Sequence, residues 1–418
     1  LPLKECARCA DPMQESVDII RLDEPREGVP EVINKQIDEA VAALAAGHGS
    51  FSVDTERAMG IRYSDRAYLV QIRREGAGTF LIDPVGIEER LGGLAEVLAQ
   101  DEWILHAADQ DLPCLRQLGL EPPRIFDTEL AGLLLGFPRV SLQAEIAEVL
   151  GFGLAKEHSH SDWSARPLSR PLRAYAALDV ELLLELRDAL THMLRTAGRL
   201  SWLEQECEEV RLRPPRPTPT QPWRKAARQA NVTDRRSLAM LEGLWNRRDE
   251  LARQRDIAPE KVIPAKVLAI LALHKPRSRQ DVLTSPLFQR RSRRRDAAEY
   301  WDAIAPIWHI PIPKLPVRYF VENRDPFPPM RQWARSHPEA EERWKLVRAC
   351  VFSTADDLGI RQDILLKPAL QKLLAWEGWE GPVSIYETLI RMGARPWQVD
   401  HVGGAIAEAV RKSPRIRT

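Results

Sequence analysis

Two proline-rich interruptions dictate how this chain can be divided: Arg213-Pro-Pro-Arg-Pro-Thr-Pro-Thr-Gln-Pro222, and a stretch running from Pro306 through Pro311, Pro313 and Pro316 to Pro326, Pro328 and Pro329. Proline lacks the N–H that a helix interior or a central strand requires, and such composition forms extended, semi-rigid spacers. Three units follow, residues 1–213, 223–305 and 331–418, joined by linkers at 214–222 and 306–330. The 418 residues, at roughly 100–200 per domain, exclude a single small domain.

The units differ in hydrophobic period. Between 51 and 128, short apolar runs read as strands: FSVD (51–54), YLVQI (68–72), TFLID (79–83), WILHA (103–107) and RIFDT (124–128). Helical patterns lie between and after the later ones, which predicts an α/β domain. From 223 onward helix periodicity takes over, as in SLAMLEGLWNRRDELARQR (237–255) and PAKVLAILALH (264–274), which predicts all-α modules. Residues 223–305 and 331–411 share length and helical character, yet no fixed period aligns them.

Charge is partitioned in the same way. Lys plus Arg against Asp plus Glu number 23 and 37 in residues 1–213, 19 and 10 in 223–305, and 17 and 13 in 306–418, although the whole chain is balanced at 60 of each. An acidic unit beside a basic one suits a site that holds cations next to a module that holds a polyanion. No apolar run approaches the ~18–20 residues that span a bilayer, and the first residues, LPLKECARCADP, show no secretory signal. The expected location is the cytoplasm, with no membrane partner. Five scattered cysteines make a poor disulfide framework, and Cys6 and Cys9, a C-x-x-C without a second pair at zinc spacing, are expected to be plain thiols.

The chemistry-bearing residues lie in the first unit. FSVD continues into Asp54-Thr55-Glu56, where period-two alternation sends Asp54 and Glu56 to the same side. Two carboxylates at one point repel unless a cation or proton lies between them, so the pair suits a hard metal; a solvated strand end is the competing reading. WILHAADQDL adds His106, Asp109 and Asp111, with Asp111 opening a helix toward Leu118, where a carboxylate is also a common cap. In RPLRAYAALDVELLLELRDAL, read as one amphipathic helix, Tyr175 and Asp179 are one turn apart on one face.

Taken in order, D-x-E, H-x-A-x-x-D and Y-x-x-x-D across one α/β unit resemble the three motifs of the DEDDy 3′→5′ exonucleases, and within them ribonuclease D. Asp162-Trp163-Ser164-Ala165-Arg166-Pro167-Leu168 looks like that family's S-D-W-x-x-R-P-L, and the resemblance spans about residues 33–200. Residues 241–253 followed by Ile263-Pro264 are similar to the helicase-and-RNase-D C-terminal (HRDC) domain, and Ala394-Arg395-Pro396-Trp397-Gln398-Val399 looks like the divergent second helical module of actinobacterial relatives. The resemblance implies an α/β ribonuclease H-like exonuclease domain followed by two all-α HRDC-like domains. It also implies a 3′→5′ exoribonuclease that uses two divalent cations, Mg²⁺ or Mn²⁺, to release nucleoside 5′-monophosphates from structured RNA such as tRNA precursors. Asp54 would bridge both ions, Glu56 and Asp179 would help hold the one that activates water, Asp111 would reach the other, and Tyr175 would orient the attacking water.

For RNA contacts, Lys156 and Arg166 are the candidates near the cleft, because arginine matches phosphate bidentately; an ion pair is the competing reading for Arg166. In the basic module Arg224, Lys225, Arg228, Arg247, Arg248 and the run Arg290 to Arg295 are the candidate phosphate contacts. Trp223, Trp245 and Trp301 are expected in the core rather than as base-stacking platforms, and His106 is expected to frame the site. Asp109 and Glu129 have no assigned role. A DNA exonuclease with the same acids and a catalytically silent RNA-binding scaffold are the rival functions, and nothing in the sequence points to a protein partner.

Overall fold

The computed structural model describes residues 19–154, 161–215, 217–289, 291–318 and 327–412. In chain order the first unit contains β1 (Ile20–Leu22), β2 (Val32–Ile33), α1 (Ile37–Ala46), β3 (His48–Arg57), β4 (Ala67–Glu75), β5 (Gly78–Ile82), α2 (Gly92–Leu98), β6 (Trp103–Leu105), α3 (Leu112–Gln117), β7 (Ile125–Asp127), α4 (Thr128–Leu135), α5 (Leu142–Leu150), β8 (Phe152–Leu154), α6 (Arg170–Glu181), α7 (Leu183–Thr196) and α8 (Leu200–Leu212). Each of the five apolar runs read as strands forms one.

Six strands make a mixed sheet in the order β2-β5-β4-β3-β6-β7, while β1 and β8 pair separately. β3 and β4 lie at its centre, antiparallel, with β6 parallel to β3 on the other side. Because both sheet faces are covered, these strands are buried almost continuously instead of alternating. Phe51, Val53, Val70 and Ile72 belong to the core that includes Ile37, Leu44, Leu94 and Leu98 of α1 and α2. On the opposite face Leu69 and Leu81 pack with Trp163 and with Ala176 and Ala177 of α6.

The run expected to be one helix is two, because α6 ends at Glu181 and α7 begins at Leu183, with Leu182 at φ −110° between them. Val180, Glu181, Leu182 and Leu183 are all buried at the break. The break turns Glu181 toward Arg26, whose Nε donates to it at 2.8 Å.

The second unit is α9 (Trp223–Gln229), α10 (Arg235–Arg255), α11 (Pro259–Val262), α12 (Ala265–His274), α13 (Arg279–Thr284) and α14 (Arg291–Ile304), around its own core of Trp223, Leu244, Leu268, Phe288 and Tyr300. The third is α15 (Trp333–Ser336), α16 (Pro338–Leu358), α17 (Gln362–Leu365), α18 (Pro368–Glu377), α19 (Pro382–Arg391), α20 (Pro396–Gln398) and α21 (Gly404–Lys412). Helices α10 to α13 start at residues 235, 259, 265 and 279, and α16 to α19 at 338, 362, 368 and 382, a constant offset of 103. The period that the sequence does not display is therefore present in the fold. Buried pairs such as Leu244 and Val347, Ile263 and Leu366, and Val282 and Ile385 occupy matching positions.

The third unit shares a continuous apolar core with the first. Trp397 stacks on Trp202 at 4.7 Å between ring centroids, and buried Glu206 accepts from Arg395 Nε (2.7 Å) and Trp397 Nε1 (2.9 Å). Gly136, which ends α4 at φ 82°, lies so close to the Gly359 carbonyl that a Cβ would collide with it. Among the described residues no helix is long and apolar enough to cross a membrane. Cys6 and Cys9 lie outside the described residues, and Cys114, Cys207 and Cys350 are free thiols.

Candidate active site

Strand β3 carries Asp54 and Glu56 to the sheet face beneath α6, as alternation requires, and its ladder with β4 shifts register between Glu56 and Arg57. Asp54, Thr55, Glu56 and Arg57 all line the cleft. From α6, Asp179 faces the same point, and the oxygens of Asp54, Glu56 and Asp179 all come within 4.8 Å of one another. Tyr175, one turn earlier, donates its hydroxyl to Asp179.

Asp111 precedes α3 and lines the same cleft of about 540 Å³, but it stands outside that close trio. It makes no side-chain cap bond to α3; it accepts instead from Thr55 Oγ1 at 2.7 Å. The turn that presents it is held from behind. Ala107 sits at φ 58°, uncommon for a residue with a side chain, and buried Asp127 accepts from the N–H groups of Ala107 (3.1 Å) and Ala108 (2.8 Å).

All four acids are pushed up by burial before anything else. For Asp54 the charge of Asp179 adds to this, for Glu56 those of Asp54, Asp179 and Asp111, and for Asp111 that of Asp54. Asp179 is raised to about 7 by burial, with the Tyr175 hydroxyl bond working against the rise. Arg57 opposes the rise at Asp54, Glu56 and Asp111. Burial and then Asp179 hold the Tyr175 phenol well above its ordinary value, so it keeps its proton. Converging carboxylates that resist ionisation together are a donor set suited to a hard divalent cation, whose charge would remove the repulsion.

His106 lines the cleft wall but is neutral, lowered to about 4 by burial, with Nδ1 2.8 Å from Thr128 Oγ1. Asp109 is not among the residues lining this cleft and lies 3.6 Å from Arg213. Glu129 does line the cleft; burial and Asp109 raise its carboxyl, and Arg361 of the third unit opposes them.

The candidate RNA contacts fare differently. Lys156 lies outside the described residues. Arg166 is not a cleft residue, contrary to expectation. Its Nε donates to Asp83 at 2.5 Å, and its other nitrogens donate to the carbonyls of Trp163, Ala165 and Tyr68. Arg166 thus fixes the segment in which Trp163 packs 6.1 Å from the Tyr175 ring, so the distinctive string shapes the site without entering it. Arg224 is buried, bound to Gln221 and to the Val317 carbonyl and lying over Trp223. Arg247 pairs with Glu250 and Glu299, and buried Arg248 pairs with Glu260 at 2.7 Å beneath Trp245. Each of these three guanidiniums already meets protein acceptors, which leaves fewer of its five donors for phosphate.

Lys225 and Arg228 are exposed and make no ion pair among the described residues. Arg290 lies outside them, and Arg295 pairs with Asp296 at 3.2 Å. Trp223 is core, with Trp245 and Trp301 packed against it. Sequence reasoning passed over Thr55 and Arg57. Alternation puts Thr55 on the strand face opposite Asp54 and Glu56, but spacing does not say what it meets there, and it does not mark Arg57.

Similarity to known proteins covers three stretches of the chain. Residues 32–195 match the "3'-5' exonuclease" family model, residues 237–304 the HRDC domain, and residues 326–410 the "3' to 5' exonuclease C-terminal domain". Ribonuclease D of Pseudomonas paraeruginosa is 28% identical over 364 residues, covering 86% of this chain and 91% of that protein. Ribonuclease D of a Jannaschia species is 30% identical over 268 residues, covering 62% and 69%. A crystal structure of a protein from Bifidobacterium adolescentis is 34% identical with a TM-score of 0.86, covering 94% of this chain and 100% of that one. The order of domains and these relatives lead to one conclusion: the chain belongs to the ribonuclease D family, and its first domain is a 3′→5′ exonuclease domain.

Proposed function

We propose that this protein is a metal-dependent 3′→5′ exoribonuclease of the cytoplasm that removes nucleoside 5′-monophosphates from the 3′ ends of structured RNA such as tRNA precursors. The observation that carries this reading is the convergence of Asp54, Glu56 and Asp179 oxygens within 4.8 Å in a cleft that also holds Asp111 and Tyr175. Two Mg²⁺ or Mn²⁺ ions held by these four carboxylates would supply a water of lowered pKa and neutralise charge on the scissile phosphate.

The remaining work belongs to side chains. Tyr175 keeps its proton, so it orients a water by hydrogen bonding and does not act as the base. Thr55 holds Asp111 in one orientation. Arg57 places a guanidinium on the cleft wall, where it can meet the phosphate backbone at the point of cleavage. The family relationship supports RNA as the substrate.

Degradation of matched RNA and DNA oligomers that share one sequence and one 3′ overhang tests the proposal. Stepwise release of 5′-monophosphates from the RNA, at least ten times faster than from the DNA, is expected. Equal rates would transfer the activity to 3′ ends in general.

A further inference from the structure

The segment that leaves β3 after Glu56 and Arg57 does not return directly to its own sheet. Residues 58–66 swing out to the HRDC domain and are fastened at the corner between α10 and α11. Ala258 N–H donates to the Ile61 carbonyl at 2.9 Å, and Tyr63 N–H donates to Asp256 at 3.4 Å. The Tyr63 hydroxyl donates to Asp249 at 2.9 Å, while its ring packs against the HRDC core. Arg62 joins three parts of the molecule: Nη1 lies 3.3 Å from Asp256, and Nε donates to Ser164 at 2.7 Å in the segment leading into α6. Asp256 itself adopts φ 47° and ends α10, so its position is set by the HRDC fold.

This segment is part of the cleft. Met59 lines the cleft with its side chain largely exposed, three residues after Glu56. Loops anchored only at their ends open locally at small cost, whereas hydrogen bonds to a second folded domain oppose such opening. Displacement of a reacting group by about 1 Å can cost on the order of a hundredfold in rate.

We propose that the HRDC domain braces the catalytic cleft as well as meeting RNA: Asp249 and Asp256 fix Arg62 and Tyr63, and so hold Glu56, Arg57 and Met59 in the geometry that hydrolysis requires. The proposal rests on the exonuclease reading of the cleft. Arg62, Tyr63, Asp249 and Asp256 are positioning residues, acting through the segment they hold. Their effect does not depend on a substrate long enough to reach the helical domain.

The test compares a long 3′-overhanging RNA with the p-nitrophenyl ester of a nucleoside 5′-monophosphate, which has no second nucleotide. Tyr63→Phe and Asp249→Ala are measured in the full chain, with Asp249→Asn as the conservative variant that still offers an oxygen to the tyrosine. A fall in kcat of about tenfold on both substrates is expected for Tyr63→Phe and Asp249→Ala, with KM unchanged and with recovery in Asp249→Asn. Wild-type rates on the ester with a raised KM for RNA would overturn the brace, leaving the HRDC domain an RNA grip alone. Hydrogen exchange at the amides of 56–64 gives a second measure that needs no turnover. Exchange at least tenfold faster in Tyr63→Phe supports the brace, and unchanged exchange overturns it, even if wild-type protein proves inert on both substrates and the exonuclease reading fails.

Discussion

Thr55 donates its hydroxyl to Asp111 across 2.7 Å, so the residue between the two acids of β3 secures a third acid on a different element. Cys114 Sγ lies 3.3 Å from the same hydroxyl, which completes a buried polar contact under the cleft. Thr55→Val keeps the shape and removes the donor. The bond favours the charged form of Asp111, so its loss is expected to push that carboxyl higher still. The expected result is roughly tenfold weaker Mn²⁺ binding, measured by electron paramagnetic resonance, with about 1 kcal/mol lost in thermal or urea unfolding.

The raised acids make a sign-specific prediction for the metal-free protein. Asp179 at about 7, together with elevated Asp54, Glu56 and Asp111, means that the folded state binds more protons than the unfolded chain between pH ~4 and ~7. Stability from these groups is complete below the unfolded carboxylate value and is lost as pH rises through the folded one. In chelator, Tm is therefore expected to fall between pH 5 and pH 8, and Asp179→Asn is expected to flatten that fall. Metal should bind more tightly as pH rises and should release protons as it does so.

Two arginines should separate cleanly. Arg57→Ala is expected to leave Tm near wild type and to raise KM for RNA about tenfold, because it removes a cleft guanidinium. Arg166→Ala strips the partner from largely buried Asp83 and frees three backbone carbonyls, with an expected loss of about 2 kcal/mol of stability. KM in the folded fraction should stay unchanged. Steady-state kinetics beside thermal melts distinguish the two.

Gln71 lies directly across from Asp54 in the β3–β4 ladder, is fully buried, and has no hydrogen-bond partner for either amide atom among the described residues. An orphaned buried amide costs about 1–3 kcal/mol. Gln71→Met, of similar length, is accordingly expected to raise stability by about 1 kcal/mol, read from urea unfolding. A lower midpoint would show that the amide serves the folded state.

The sequence revealed the acids because their chemistry is encoded in spacing. Asp54 and Glu56 needed only strand alternation, and Tyr175 and Asp179 only one helical turn. The arginines were illegible for the opposite reason, since a positive count says nothing about which carboxylate each guanidinium meets. Glu299 is 52 residues from Arg247, and Asp83 is 83 residues from Arg166. The internal repeat stayed hidden because helical cores demand apolar type and not identity. Across residues 235–284 and 338–387, Ala252 and Ala355, Ile257 and Ile360, Leu271 and Leu374, and Ala272 and Ala375 are the identical pairs at the 103-residue offset. The break at Leu182 was similarly invisible to periodicity, because neither Gly nor Pro marks it and the apolar pattern runs on through it.

The most direct test is digestion of a 3′-overhanging RNA hairpin, labelled at its 5′ end, by wild-type and Asp54→Ala protein with Mg²⁺, with Mn²⁺ and with chelator. A ladder shortening from the 3′ end only with wild-type protein and a divalent cation is the predicted result. Intact RNA held in a salt-sensitive complex by both proteins would contradict the account and make the chain a binding scaffold.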